Sequence, residues 1–144
     1  MTTLPNGKPI DMEMLEVAME DSNLGNTYYL NTQTGEVLFL SEGDDMNEQE
    51  QLAEEIEGSN DYVRIECIPS SEAYHWMSNF VDEVVAPKDQ RAAQKLSTAL
   101  HGKGVFRRFK DTLYTTGEQW TQTWYDWRDQ RLKEAMEAWL REVL

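Results

Sequence analysis

The chain has 144 residues, with 27 acidic and 13 basic side chains, a net charge of −14, one Cys and two His. Five Trp, six Tyr and four Phe among 40% apolar residues supply enough large buriable surface to exclude wholesale disorder. No apolar run approaches the roughly 20 residues of a membrane helix, no leader is readable, and Cys67 alone allows no internal disulfide, so a cytoplasmic monomer or small homo-oligomer is expected.

In chain order, Asp11 reads as a helix N-cap, with Ile10 and Leu15 at the spacing of a hydrophobic staple. Leu15, Ala18 and Met19 form the apolar stripe, and the helix ends at Asn23 to Gly25. Residues 27–41 read as a hairpin around Asn31-Thr32-Gln33-Thr34-Gly35. Its second run, Val37 to Leu40, is apolar on both faces and is expected to be a central, covered strand. Within the acidic stretch 41–61, Glu42-Gly43-Asp44-Asp45 reads as a solvated loop, and Asn47 with Glu50 as a capping box opening a short helix through Leu52, Ala53 and Ile56. Tyr62 to Ile68 alternates, so Val63, Ile65 and Cys67 are expected on one buried face of a third strand.

The remainder reads as helices. Pro69-Ser70-Ser71-Glu72 starts one, with Ala73, Trp76, Met77, Phe80, Val81 and Val84 at helical spacing until Pro87. A shorter helix near 89–101 uses Ala92, Ala93, Leu96 and Leu100. Gly102-Lys103-Gly104 separates it from a helix carrying Val105, Phe106, Phe109 and Leu113. After Gly117 a last helix spans about 118–143, with Tyr125, Leu132, Met136, Trp139 and Val143 on one face and Trp120, Trp124 and Trp127 on another. Strands followed by helices imply an α+β fold. We expect one domain over 1–144, with a small antiparallel sheet of about three strands and five to six packed helices. Its acidic helix, hairpin and strand half covers about 1–68, and its helical C-terminal half about 69–144.

The charge is split along the chain. Residues 1–79 carry 17 acids and two bases, Lys8 and Arg64, whereas residues 80–144 carry 10 acids and 11 bases. Such asymmetry points to an electrostatic partner, either the other half of the same molecule or another molecule. The overall negative charge repels nucleic acid at long range, which confines any nucleic-acid site to the second half.

No phosphate-binding glycine loop and no dinucleotide fingerprint is present. His75, His101 and Cys67 lie far apart without paired-ligand spacing, and the acidic loop lacks the pattern of a calcium site, so neither metal nor cofactor is expected. No nucleophile elbow accompanies the carboxylates, and the full cast of a catalytic mechanism is missing. The informative block is Gly104 to Leu113. Phe106, Phe109 and Leu113 share one helical face, and Arg107, Arg108 and Lys110 project from its flanks. Trp124-Tyr125-Asp126-Trp127-Arg128 repeats the mixture. Aromatics interleaved with cations can stack bases and hold phosphates. An aromatic stripe at helical spacing is ordinarily core, and the arginines are then flanking surface or ion-paired to Asp111, Asp126, Asp129 or the acidic half. Arg107, Arg108, Lys110 and Arg128 are the candidate anion- or partner-binding residues, because guanidinium groups grip carboxylates and phosphates bidentately.

Three segments also carry a family resemblance: the hairpin Tyr28 to Val37, the block Gly102 to Asp111, and the ending Trp124-Tyr125-Asp126-Trp127-Arg128-Asp129 leading to Trp139. Together they resemble an uncharacterised bacterial protein family, numbered 0158 in the UPF series, over about residues 10–140. The resemblance implies a small bacterial cytoplasmic protein and no particular activity. The expectation is a non-catalytic binding module acting through a protein partner. Its alternatives are a nucleic-acid binder using Arg107, Arg108, Lys110 and Arg128, or an acidic mimic of nucleic acid.

Overall fold

A computed structural model describes residues 2–41 and 46–144, without the side chains of 46 and 47. The expected loop at 42–45 and the Asn47 capping box therefore lie outside the described residues. In chain order the elements are α1 (Met12–Glu20), β1 (Asn26–Asn31), β2 (Val37–Ser41), α2 (Met46–Glu57), β3 (Tyr62–Arg64), α3 (Ser70–Phe80), a π-helical turn (Val81–Val85), α4 (Gln90–Ala99), α5 (Val105–Thr116) and α6 (Glu118–Val143). The fold is α+β, with a three-stranded antiparallel sheet and a helical C-terminal half. The chain forms two compact units, Met1–Ile68 with Glu134–Leu144, and Pro69–Lys133.

In the first unit, Asp11 caps α1 by accepting a hydrogen bond from the Met14 amide at 3.2 Å, which satisfies one of the free donors of a helix start. Leu15, Ala18 and Met19 are buried as their spacing requires. β1 pairs with β2 in the register Leu30↔Val37 and with β3 in the register Tyr29↔Arg64. At the hairpin, Gly35 has φ +81°, and a Cβ there would collide with the Pro9 carbonyl, so only glycine fits.

Two expectations fail in this unit. The strand order is β2-β1-β3, so Val37 to Leu40 is an edge strand, half-buried along its length. α2 packs against it, so a covered face on this strand does not require a central position. The third strand is only Tyr62–Arg64. The Ile65 amide still donates to the Tyr28 carbonyl at 2.9 Å, but the chain then turns to place the Ile68 amide on the Met19 carbonyl at 2.8 Å. The alternation stops at that departure, and Cys67 is exposed rather than on a buried face.

In the second unit, Met77, Phe80, Val81, Val85, Ala92, Ala93, Leu96, Leu100, Phe109, Leu113, Trp120 and Trp124 form one core cluster. Phe80 and Phe109 both meet the Trp124 ring edge to face, at centroid distances of 5.3 and 5.0 Å. Trp127 donates its indole N–H to the Trp76 carbonyl at 3.3 Å. After Phe80 the helix widens into the π-helical turn, and Val85 rather than Val84 is fully buried. The extra residue per turn rotates the stripe.

The apolar row of α6 also differs from expectation. Trp120, Trp124, Leu132, Met136 and Leu140 are buried, each four residues or a multiple of four from the next, whereas Tyr125 is exposed. Arg128 falls on that row. Among the described residues no helix is long and apolar enough to cross a membrane.

Candidate functional site

The second unit contains a helix hairpin, α4 and α5, whose construction separates an apolar inner face from a cationic outer one. Asp89 caps α4 through the Ala92 amide at 3.0 Å. Ala92, Ala93, Leu96 and Ala99 turn inward, while Arg91 and Lys95, one turn apart, are exposed. The Tyr74 hydroxyl donates to the Leu100 carbonyl at 3.1 Å, satisfying an acceptor that the end of α4 leaves free.

The connection then reverses through two glycines in the left-handed region, Gly102 at φ +89° and Gly104 at φ +67°. The Arg108 guanidinium lies against Gly102, both terminal nitrogens 3.2 Å from the place a Cβ would occupy. α5 buries Phe109 and Leu113 and exposes Arg107, Arg108 and Lys110.

Phe106, expected in the core with Phe109 and Leu113, is 45% exposed. Seven residues bring the helix back to within about 20° of the same direction, so Phe106 is on the line of Leu113, and its exposure comes from its place in the first turn of α5, at the end of the buried stripe. Phe106, Lys110 and Tyr114 follow one another at intervals of four, so they form one row of the outer face; Tyr114 is 83% exposed.

From 90 to 110 the chain carries six Lys or Arg and no Asp or Glu. Among the described residues, the ion pair of this hairpin joins Arg107 to Asp111 at 4.0 Å, with side-chain exposures of 91% and 75%. A pair so open to water contributes little to stability and leaves the guanidinium available. Arg128 stands apart on α6, partly buried and 3.7 Å from Asp129, with further partners of its own. Three of the four sequence candidates therefore share α5, and the fourth belongs to another helix. The sequence reading missed Arg91, Lys95 and Lys103, although counting charge signs over the acid-free run would have found them.

The first unit holds a second polar cluster that the sequence did not announce. Asp21, at the C-terminal end of α1, accepts hydrogen bonds from the Tyr28 hydroxyl at 2.7 Å, the Asn26 side-chain amide at 2.8 Å and the Asn23 backbone amide at 2.9 Å. Those bonds, Tyr28 first, hold the Asp21 carboxyl below the usual carboxylate range. Burial, and then the Asp21 carboxylate, push the Tyr28 hydroxyl up to about 12. The cluster lines a pocket of about 80 Å³ together with Arg64 and Cys67. The carboxylate is committed to donors of its own chain, so it anchors the α1–β1 turn rather than serving as a base. Among the described residues no three His, Cys, Asp or Glu side chains converge as metal ligands would. The α4–α5 face is accordingly a set of cations and aromatic surfaces, suited to holding anions.

Residues 8–143 match the model of a family described as "Uncharacterised protein family (UPF0158)". A protein of Pseudomonas aeruginosa named UPF0158 protein PA5073 is 28% identical over 136 residues, covering 94% of this chain and 84% of that protein. No solved structure matches.

Proposed function

The chain belongs to the uncharacterised protein family UPF0158, and from its α4–α5 hairpin we propose a non-catalytic binding module that acts through a protein partner in the bacterial cytoplasm. The partner presents an acidic surface to Arg107, Arg108 and Lys110, with Arg91, Lys95 and Lys103 extending the field. The observation that carries this reading is the set of six exposed cations on the acid-free run 90–110 in a chain of net charge −14. Phe106 and Tyr114 add apolar contact area beside the cations, as interface anchors do. Cytoplasmic residence is consistent with a single unpaired cysteine.

One observation favours a second reading. Phe106 and Tyr114 flank Lys110 on the outer row of α5, an arrangement that also stacks bases and neutralises phosphates. Capture of partners from native lysate with nuclease, comparing the wild type with the triple variant Arg107→Ala, Arg108→Ala, Lys110→Ala, separates the two. A protein retained after nuclease treatment by the wild type and lost by the variant supports the protein-partner reading. Recovery of nucleic acid that depends on the same residues replaces it with the second.

A further inference from the structure

Resting on the protein-partner reading, we propose that the occupant of the basic hairpin is a second copy of this chain, docked through its acidic helix α2. The two sequence segments have complementary composition. Residues 9–63 carry fifteen acids and no base, against six bases and no acid over 90–110. α2 concentrates Glu48, Glu50, Glu54, Glu55 and Glu57 on a helix of 12 residues, the same length as α5. Each helix is therefore about 18 Å long, so one can lie along the other over its whole length.

The spacing agrees in part: Glu54 and Glu57 are three residues apart on α2, as Arg107 and Lys110 are on α5. α2 packs against β2, and along it Leu52, Ala53 and Ile56 are half-buried while the glutamates are exposed. Glu55 is engaged by the Tyr62 hydroxyl at 2.9 Å. Among the described residues, neither Glu48, Glu50, Glu54 and Glu57 nor Arg91, Lys95, Lys103, Arg108 and Lys110 make an ion pair.

Net charge opposes bringing two copies together, but only at long range. At about 0.1 M salt the Debye length is near 10 Å, so the overall repulsion is largely screened while pairs in contact are not. The contact joins two different patches, so each copy keeps one free patch of each kind and the association grows with concentration unless the ring closes.

Sedimentation equilibrium of the full chain tests the proposal. At about 0.1 M salt the weight-average mass is expected to rise with concentration to at least twice the 16.8 kDa of the monomer, and to fall back at about 1 M. The variant Arg107→Glu with Lys110→Glu and the variant Glu54→Lys with Glu57→Lys are each expected to be monomeric. An equimolar mixture of the two recovers the association, because each then offers the other an opposite charge. Circular dichroism checks that these exposed changes leave the fold intact. A wild type that stays at 16.8 kDa throughout, or a mixture that fails to associate while the wild type does, overturns the proposal. If the wild type is monomeric yet captures a different protein through Arg107, Arg108 and Lys110, the inference falls and the protein-partner reading stands. If it captures nothing, both fall.

Discussion

The guanidinium of Arg108 lies against Gly102, six residues earlier, with both terminal nitrogens 3.2 Å from where a Cβ on that glycine would be. The reversal between α4 and α5 and the placement of one cation of the basic face are thus the same piece of geometry. Replacing Gly102 by Ala forces a side chain into φ +89° and displaces the guanidinium. Urea unfolding is expected to show a loss of about 1 kcal/mol or more. Gly104→Asn is the control. Gly104 is also left-handed, at φ +67°, with nothing near its Cβ position, and Asn tolerates that region. A Gly102→Ala protein as stable as the wild type would contradict the account of this turn.

The two phenylalanines of α5 differ in kind. Phe109 is fully buried against Trp124, and Phe109→Ala is expected to cost roughly 3–5 kcal/mol by chemical denaturation. Phe106, at the end of the stripe, is expected to cost less than about 1 kcal/mol when changed to Ala, while partner binding weakens. Equal stability losses at the two positions would place Phe106 in the core.

Much of this was legible in the sequence. The cap at Asp11, the hairpin turning at Gly35, the breaks at Gly117 and between 100 and 104, and the 118–143 helix all follow from local chemistry that acts within a few residues. Pairing of distant strands does not act locally, and there the reading failed. Apolar residues on both faces of Val37 to Leu40 did not distinguish a central strand from an edge strand beneath a helix. Spacing alone put Phe106 with Phe109, because a stripe has no fixed end until its neighbours are known. The Asp21–Tyr28 bond spans a turn whose geometry was needed to bring the two groups within 2.7 Å.

That bond gives stability a pH signature at both ends. The folded pKa of Asp21 lies below its ordinary value, so its contribution is present above about pH 4 and is lost as pH falls through the lowered pKa. The Tyr28 hydroxyl is raised from 10.0 to about 12, so its contribution is intact below about pH 10 and is lost as pH rises toward 12. Denaturation midpoints measured across pH for the wild type and Tyr28→Phe are expected to diverge at neutral pH and to converge at alkaline pH. A constant difference up to pH 12 would show that neither burial nor the Asp21 carboxylate holds the proton on the hydroxyl.

Asp111 is the acid that faces the basic row, 4.0 Å from Arg107. Asp111→Asn removes an exposed pair of small energetic value, so the unfolding midpoint is expected to move little. The same change raises the positive potential of α5, and a glutamate-rich peptide is expected to bind several-fold more tightly at low salt. Unchanged or weaker binding in a fluorescence titration would remove Arg107 from the interface.

The most direct measurement is a nuclear magnetic resonance titration of the labelled full chain with a glutamate-rich peptide, alongside a single-stranded oligonucleotide of equal charge. The account predicts that the peptide shifts backbone amides clustered within residues 91–114. Salt reverses the shifts, Arg107→Ala with Arg108→Ala abolishes them, and the oligonucleotide binds more weakly. Shifts centred elsewhere, or tighter binding of the oligonucleotide at those same residues, would contradict it.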